Sequence, residues 1–242
     1  MLRKKEKLLL KLQHKMVNEV KNIVLIHKSG GDFAIADVYL LVSHINKYWD
    51  NEKNKPSIYC YSDTVEREIS VVGVTLRPLP NPEWSGWWSK MNLFAPELKE
   101  LRPFLYLDLD TAILQSIENL FPPKEAMNKF VALRDFYRPN NMASGLMWIP
   151  DTTLMNTISL KWKKNTKRFR GDQNFIESIV KSPDLFWQDI SKPDFITTFK
   201  PNSKWRVEFP VQSAVVCFHG YPRIPDAAKS VEWVKRYTSY EI

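Results

Sequence analysis

The sequence predicts an α/β chain, one domain built on a central mixed sheet with helices on both faces. Three observations carry that expectation. An apolar strand, a Gly-Gly turn and an amphipathic helical pattern follow one another between Asn22 and Ile45. Further short apolar runs are separated by segments of helical period, the pattern of a largely parallel sheet. A later run from Phe104 to Ile113 reads as a buried strand that carries two carboxylates, Asp108 and Asp110, which suits a position at the carboxyl ends of strands facing a ligand.

Composition bounds the rest. In 242 residues, 44% of them hydrophobic, there is enough apolar material for a sizeable core. Thirty-five Lys and Arg against 27 Asp and Glu give a net charge of +8, which favours polyanionic partners such as phosphates, nucleic acid or an acidic surface. Cys60 and Cys217 lie far apart without a C-x-x-C pair, so neither zinc nor a disulfide framework is indicated. No apolar run approaches the roughly 20 residues of a membrane span. Leu8-Leu9-Leu10 is broken by Lys11 and is too short for a signal peptide. The expectation is an intracellular, cytoplasmic protein.

In chain order, residues 1–20 read as a basic helical extension, with Leu9, Leu12, Met16 and Val20 at helical spacing, ahead of a domain over 21–242. Asn22–His27 is the first strand. Ser29-Gly30-Gly31 forms a turn that lets a ligand approach the backbone, and Asp32 is placed to cap the helix carrying Val38, Leu41, Val42 and Ile45. Ser57–Tyr61 and Val71–Leu76 are the next strands. Trp87, Met91 and Phe94 share a helical face, and Lys90 between them could reach a phosphate or a sugar hydroxyl.

On the central strand, side chains alternate, so Asp108 and Asp110 point one way and Leu107 and Leu109 the other. Like charges roughly 6–7 Å apart along a strand call for a cation, and Mg²⁺ or Mn²⁺ suits oxygen ligands best. Gly171-Asp172-Gln173-Asn174 opens a helix in which Asp172 could be the N-cap. Ala214–Phe218 is a further strand, ending at His219 and at Gly220, where backbone could approach a ligand. Trp233, Val234 and Tyr237 suggest a closing helix.

Five of these stretches, in order, resemble sugar-nucleotide-dependent glycosyltransferases of the GT-A, Rossmann-like fold, above all relatives of glycosyltransferase family eight, the glycogenin and bacterial galactosyltransferase group. They are Ser29-Gly30-Gly31, the run from Gly86-Trp87-Trp88-Ser89-Lys90 to Asp108-Leu109-Asp110, Ala143-Ser144-Gly145, Gly171-Asp172-Gln173, and His219-Gly220-Tyr221-Pro222-Arg223. The resemblance implies a metal on Asp108, Asp110 and His219. It implies a UDP-sugar donor held by Lys90, Asp108, Ser144, Gly145, Ser29, Gly30, Gly31, Gly220 and Arg223. Asp172 and Gln173 would face the donor sugar at the catalytic centre, and transfer would retain anomeric configuration. Two departures stand out: Ala143 replaces the family's Asn, and Arg223 most nearly matches its Lys.

Two acceptors fit the sequence. One is a hydroxymethylated pyrimidine in DNA, because Lys161–Arg170 interleaves basic and aromatic residues beside the donor motif. Lys163, Lys164, Lys167 and Arg168 would then contact backbone, and Trp162 or Phe169 would stack on an extruded base. The other is a saccharide of an envelope or glycoconjugate. The competing classes are a non-catalytic sugar-nucleotide-binding protein and a nucleotidyltransferase.

Overall fold

The computed structural model describes residues 21–71, 73–165 and 169–240; the basic helix expected over 1–20 lies outside them. Strand β1 (Asn22–His27) is buried along its whole length, as a strand covered on both faces must be. It pairs in parallel with β2 (Ser57–Ser62) on one side and β5 (Phe104–Leu107) on the other. Beyond β2 come β4 (Val74–Pro78) and the exposed edge strand β3 (Ile69–Val71). Beyond β5 come β8 (Met142–Ile149), β7 (Val131–Arg134) and β9 (Leu185–Phe186). The eight strands run in the order β3-β4-β2-β1-β5-β8-β7-β9. Because β3, β5 and β7 each have an antiparallel partner, the sheet is mixed.

Strand alternation sorts the core onto two faces. Ile23, Leu25, Leu105 and Leu107 pack under helix α1 (Ile35–Lys47) through Val38, Leu41, Val42 and Ile45. Val24, Ile26, Phe104 and Tyr106 face Met91, Phe94, Trp162 and Phe175 on the other side. Two of these, Trp162 and Phe175, come from helices α2 (Thr153–Asn165) and α3 (Asp172–Val180).

A second, three-stranded sheet orders β10 (Ile196–Thr198), β11 (Val215–Cys217) and β6 (Thr111–Ile113). The antiparallel register sets Cys217 against Thr111, and the Phe218 amide donates to the Asp110 carbonyl at 2.9 Å. That pairing carries the chain after β11 to the two carboxylates. Behind it, the short helix α4 (Trp187–Ile190) precedes β10, and α5 (Ile224–Ala227) and α6 (Glu232–Thr238) follow β11. Trp233, Val234 and Tyr237 of α6 are buried, as the closing helix requires.

Four expectations change. The run 71–76 is not one strand, because Gly73 at φ +78° turns it into the β3–β4 hairpin. The stretch 104–113 breaks at Asp108–Asp110 into β5 and β6, which belong to different sheets. Gly86–Phe94 is a 3-10 helix, whose three residues per turn do not keep the expected α-helical face. Trp87 is 61% exposed, while Ser89 through Phe94 are all buried. Finally, Asp37 rather than Asp32 closes the start of α1, accepting from the Ala34 amide at 2.7 Å.

Candidate functional site

Since β1 and β5 lie side by side and parallel, the Gly turn after one and the Asp108–Asp110 turn after the other open at the same end of the sheet. Asp108 is gripped from three directions. Its amide donates to the Gly145 carbonyl at 2.8 Å, its Oδ1 accepts from the Tyr106 hydroxyl, and its Oδ2 lies 2.9 Å from Lys90 Nζ. Burial, reinforced by the charge of Asp108, keeps the Tyr106 phenol protonated and donating. A Cβ on residue 145 would approach Asp108 Oδ2 to 3.2 Å, so glycine gives the carboxylate its room.

Lys90 also donates to Ser144 Oγ at 3.1 Å and pairs with Asp172 at 3.1 Å, while Ser144 Oγ donates to Asp172 at 2.7 Å. Burial alone would push the Lys90 ammonium down, but Asp108 and Asp172 outweigh it and keep the lysine charged. Lys90, Asp108, Ser144, Gly145 and Asp172, expected as site residues from separate stretches, thus form one network. Gln173 stands next to it, its amide donating to Asp135 at 3.2 Å.

Asp110 is buried, and burial together with Asp108 pushes its carboxyl up to about 6, against the pull of Arg223. The Arg223 guanidinium donates to Asp110 through Nη1 and to Asp32 through Nη2, the latter at 2.6 Å. His219 is held differently. Its Nε2 meets Thr198 Oγ1 at 2.7 Å, its ring stacks on Phe136, and Lys200 donates to its carbonyl. Burial and Lys200 lower its pKa to about 4, so the imidazole is neutral at pH 7. Among the described residues no three His, Cys, Asp or Glu side chains gather closely enough to hold a metal, so His219 does not join Asp108 and Asp110 as they lie. Two neighbouring oxygen donors, one of them raised by the other's charge, nonetheless suit a hard divalent ion. Arg223 and Lys90 supply the positive charge there.

At the Gly turn, Ser29 is committed through both its amide (2.8 Å) and its hydroxyl (2.6 Å) to Asp63. Gly30 at φ +72° and Gly31 are exposed. Gly220, at φ +70°, adopts a left-handed conformation that favours glycine as the chain turns from His219 toward Arg223.

The basic-aromatic run divides. Trp162 is 2% exposed, stacked on Trp88 with centroids 4.5 Å apart, and Phe169 packs edge-on against Phe175. Trp162 is therefore a core residue, and half-buried Phe169 packs against that core. Lys163 is exposed on α2; the Lys164 side chain, Lys167 and Arg168 lie outside the described residues.

Five residues of the site had no assigned role in the sequence: Tyr106, Asp135, Asp63, Thr198 and Lys200. Only Tyr106 carried a local signal, since it sits two residues before Asp108 and therefore on the same strand face.

No family model matches the chain, and no curated protein matches it. Solved structures do. An active-site mutant of LgtC superposes at TM-score 0.61 with 12% identity, over 90% of this chain and 94% of that one. The apo glycosyltransferase GlyE of Streptococcus pneumoniae TIGR4 gives 0.61 and 13%, over 91% and 60%. The apo bifunctional glycosyltransferase WbbM gives 0.61 and 11%, over 93% and 52%. The chain therefore spans little more than half of the last two. The galactosyltransferase LgtC with donor and acceptor sugar analogs matches at 0.51 and 13%, over 90% and 95%. This chain has the GT-A fold.

Proposed function

We propose that the chain transfers a sugar from a nucleoside diphosphate donor, a UDP-sugar, to a hydroxyl acceptor, with retention, in the manner of family eight. The observation that carries this is the Lys90 network, in which one buried ammonium joins Asp108 to Asp172 through distances of 2.9 and 3.1 Å. It couples the diphosphate side of such a site to its sugar side. The GT-A fold, shared with solved glycosyltransferases, adds support.

Asp108 and Asp110 would hold Mn²⁺ or Mg²⁺, with His219 as third ligand after a local rearrangement. When bound, that ion would act as a Lewis acid on the departing diphosphate. Lys90 and Arg223 add fixed positive charge where negative charge develops. Asp172 is tied to Lys90 and Ser144 through its Oδ2. Attack on the same face as the leaving group is the course proposed, with Gln173, oriented by Asp135, beside the reacting carbon. Ser144, Gly145, Gly30, Gly31 and Gly220 line the donor, and Ser29, tied to Asp63, shapes the turn. A saccharide acceptor is favoured over a DNA pyrimidine because Trp162 is buried in the core and half-buried Phe169 is packed against it.

The test is incubation with a panel of UDP-sugars, with and without EDTA, offering saccharides in one arm and hydroxymethylated DNA in the other. UDP release that disappears in EDTA and in Asp110→Asn, with a glycosylated saccharide found by mass spectrometry, is expected. Glycosylated nucleosides would move the acceptor to DNA, and pyrophosphate release would indicate nucleotidyl transfer. Calorimetric binding of UDP without any turnover would indicate a binding protein.

A further inference from the structure

Arg223 joins two acids that belong to different parts of the site. Its Nη1 is on Asp110, whose side chain is 10% exposed, and its Nη2 is on Asp32, whose side chain is 65% exposed. The same guanidinium lies 4.8 Å from the centre of the Phe33 ring. Arg223 is the N-cap of α5, following the turn after β11, and Asp32 and Phe33 follow the Gly turn after β1. One side chain therefore ties the two turns together across the mouth of the donor site.

This arrangement has a chemical consequence. A guanidinium recognises phosphate best through two parallel N–H donors, and here both terminal nitrogens are taken by different carboxylates. Asp110 in turn cannot offer the same oxygen freely to a cation while Arg223 holds it. On the proposed reading of the site, the diphosphate and the divalent ion both require Arg223 to move.

We propose that Arg223 is an internal counter-ion that fills the charge requirement of the ligand-free site, and that Asp32 is the positioning residue that keeps it there. The inference rests on the proposed donor site. Diphosphate draws Arg223 away from the carboxylates, and its departure exposes Asp110 to the ion. Binding of the two ligands is therefore mutually reinforcing, and either alone binds weakly. Asp32 sets how tightly the arginine is retained, since its exposed contact is the one most easily lost.

The experiment measures Mn²⁺ alone by electron paramagnetic resonance, and UDP with and without Mn²⁺ by calorimetry, in the full chain and in three variants. In Asp32→Asn the arginine loses one of its two carboxylates and is held by Asp110 alone, and UDP in the presence of Mn²⁺ binds roughly two- to fivefold tighter, the scale of one exposed ion pair. In Arg223→Gln, Mn²⁺ alone binds roughly tenfold tighter because Asp110 is free, and UDP binds more weakly. Arg223→Lys, which keeps the charge without the fork, stays near the wild type for Mn²⁺ alone and guards against a folding defect in the Gln variant. Weaker UDP binding in Asp32→Asn would mean that the contact presents Arg223 to diphosphate instead of withholding it, and the inference falls. Unchanged or weaker Mn²⁺ binding in Arg223→Gln overturns it as well. If the wild type binds neither UDP nor Mn²⁺, the donor-site reading itself fails, a result distinct from wild-type binding with unresponsive variants.

Discussion

Lys90 and Asp172 stand 3.1 Å apart, and the same ammonium lies 2.9 Å from Asp108. Two carboxylates from different elements thus share one nearly buried cation. Removing one partner of such a group leaves uncompensated charge in a low-dielectric place, a change that typically costs about 3–5 kcal/mol. Lys90→Met is expected to lose about that much in urea unfolding at pH 7. Adding Asp172→Asn to it should restore part of the loss. If Lys90→Met is as stable as wild type, the network does not hold the fold together as drawn.

Asp63 supplies a pH prediction. Burial alone would raise its carboxyl, but Lys28 and the two Ser29 donors hold it down at about 2. The unfolded value is about 3.9, so the stabilisation is fully present above that pH and is lost as pH falls through about 2. Its size, discounted for solvent screening, is on the order of 1–2 kcal/mol. Asp63→Asn should therefore flatten the decline in stability between about pH 4 and pH 2. A decline as steep as in the wild type would place the acid sensitivity elsewhere.

Gly145→Ala separates activity from stability. The added methyl would sit 3.2 Å from Asp108 Oδ2, a carboxylate already fixed by Tyr106 and Lys90. Displacement by a few tenths of an ångström should reduce sugar transfer by roughly tenfold. Stability should change by less than about 1.5 kcal/mol. Full activity in this variant would argue that Asp108 is not at the reacting centre.

Trp162 tests the acceptor. With its ring stacked on Trp88 and edge-on to Trp84 and Phe175, Trp162→Ala should cost about 3–5 kcal/mol of stability, as large aromatic deletions do. Any residual affinity for hydroxymethylated DNA, measured where the variant is still folded, should be unaffected. Loss of DNA binding without loss of stability would revive a base-stacking role for this residue.

By itself the sequence determined what depends on local pattern. Period-two alternation put Ile23, Leu25, Leu105 and Leu107 on one face of the sheet and Tyr106 with the opposite core. Helical spacing identified α1 and α6 by their apolar faces. The order of five short motifs carried the resemblance to GT-A glycosyltransferases, and the fold agrees with what that resemblance implied. Turn geometry was less legible. Gly73 and the 3-10 segment Gly86–Phe94 depart from the periods that pattern alone supplies.

Only the tertiary structure decided which charges meet. Lys90 was singled out in the sequence as able to reach a phosphate or a sugar hydroxyl, yet its partners came from the packing of the 3-10 segment on β1, α2 and α3, which brings its ammonium to Asp108, Ser144 and Asp172. Arg223 reaches Asp110 because β11 pairs antiparallel with β6, a register set by contacts between distant parts of the chain. Trp162, in a run rich enough in lysine and arginine to suggest a nucleic-acid surface, points inward because α2 lays that side against Trp88 and Phe175. The physical reason is common to all three. Periodicity tells a side chain which face of its own element it occupies, but its partner is chosen by what packs against that face.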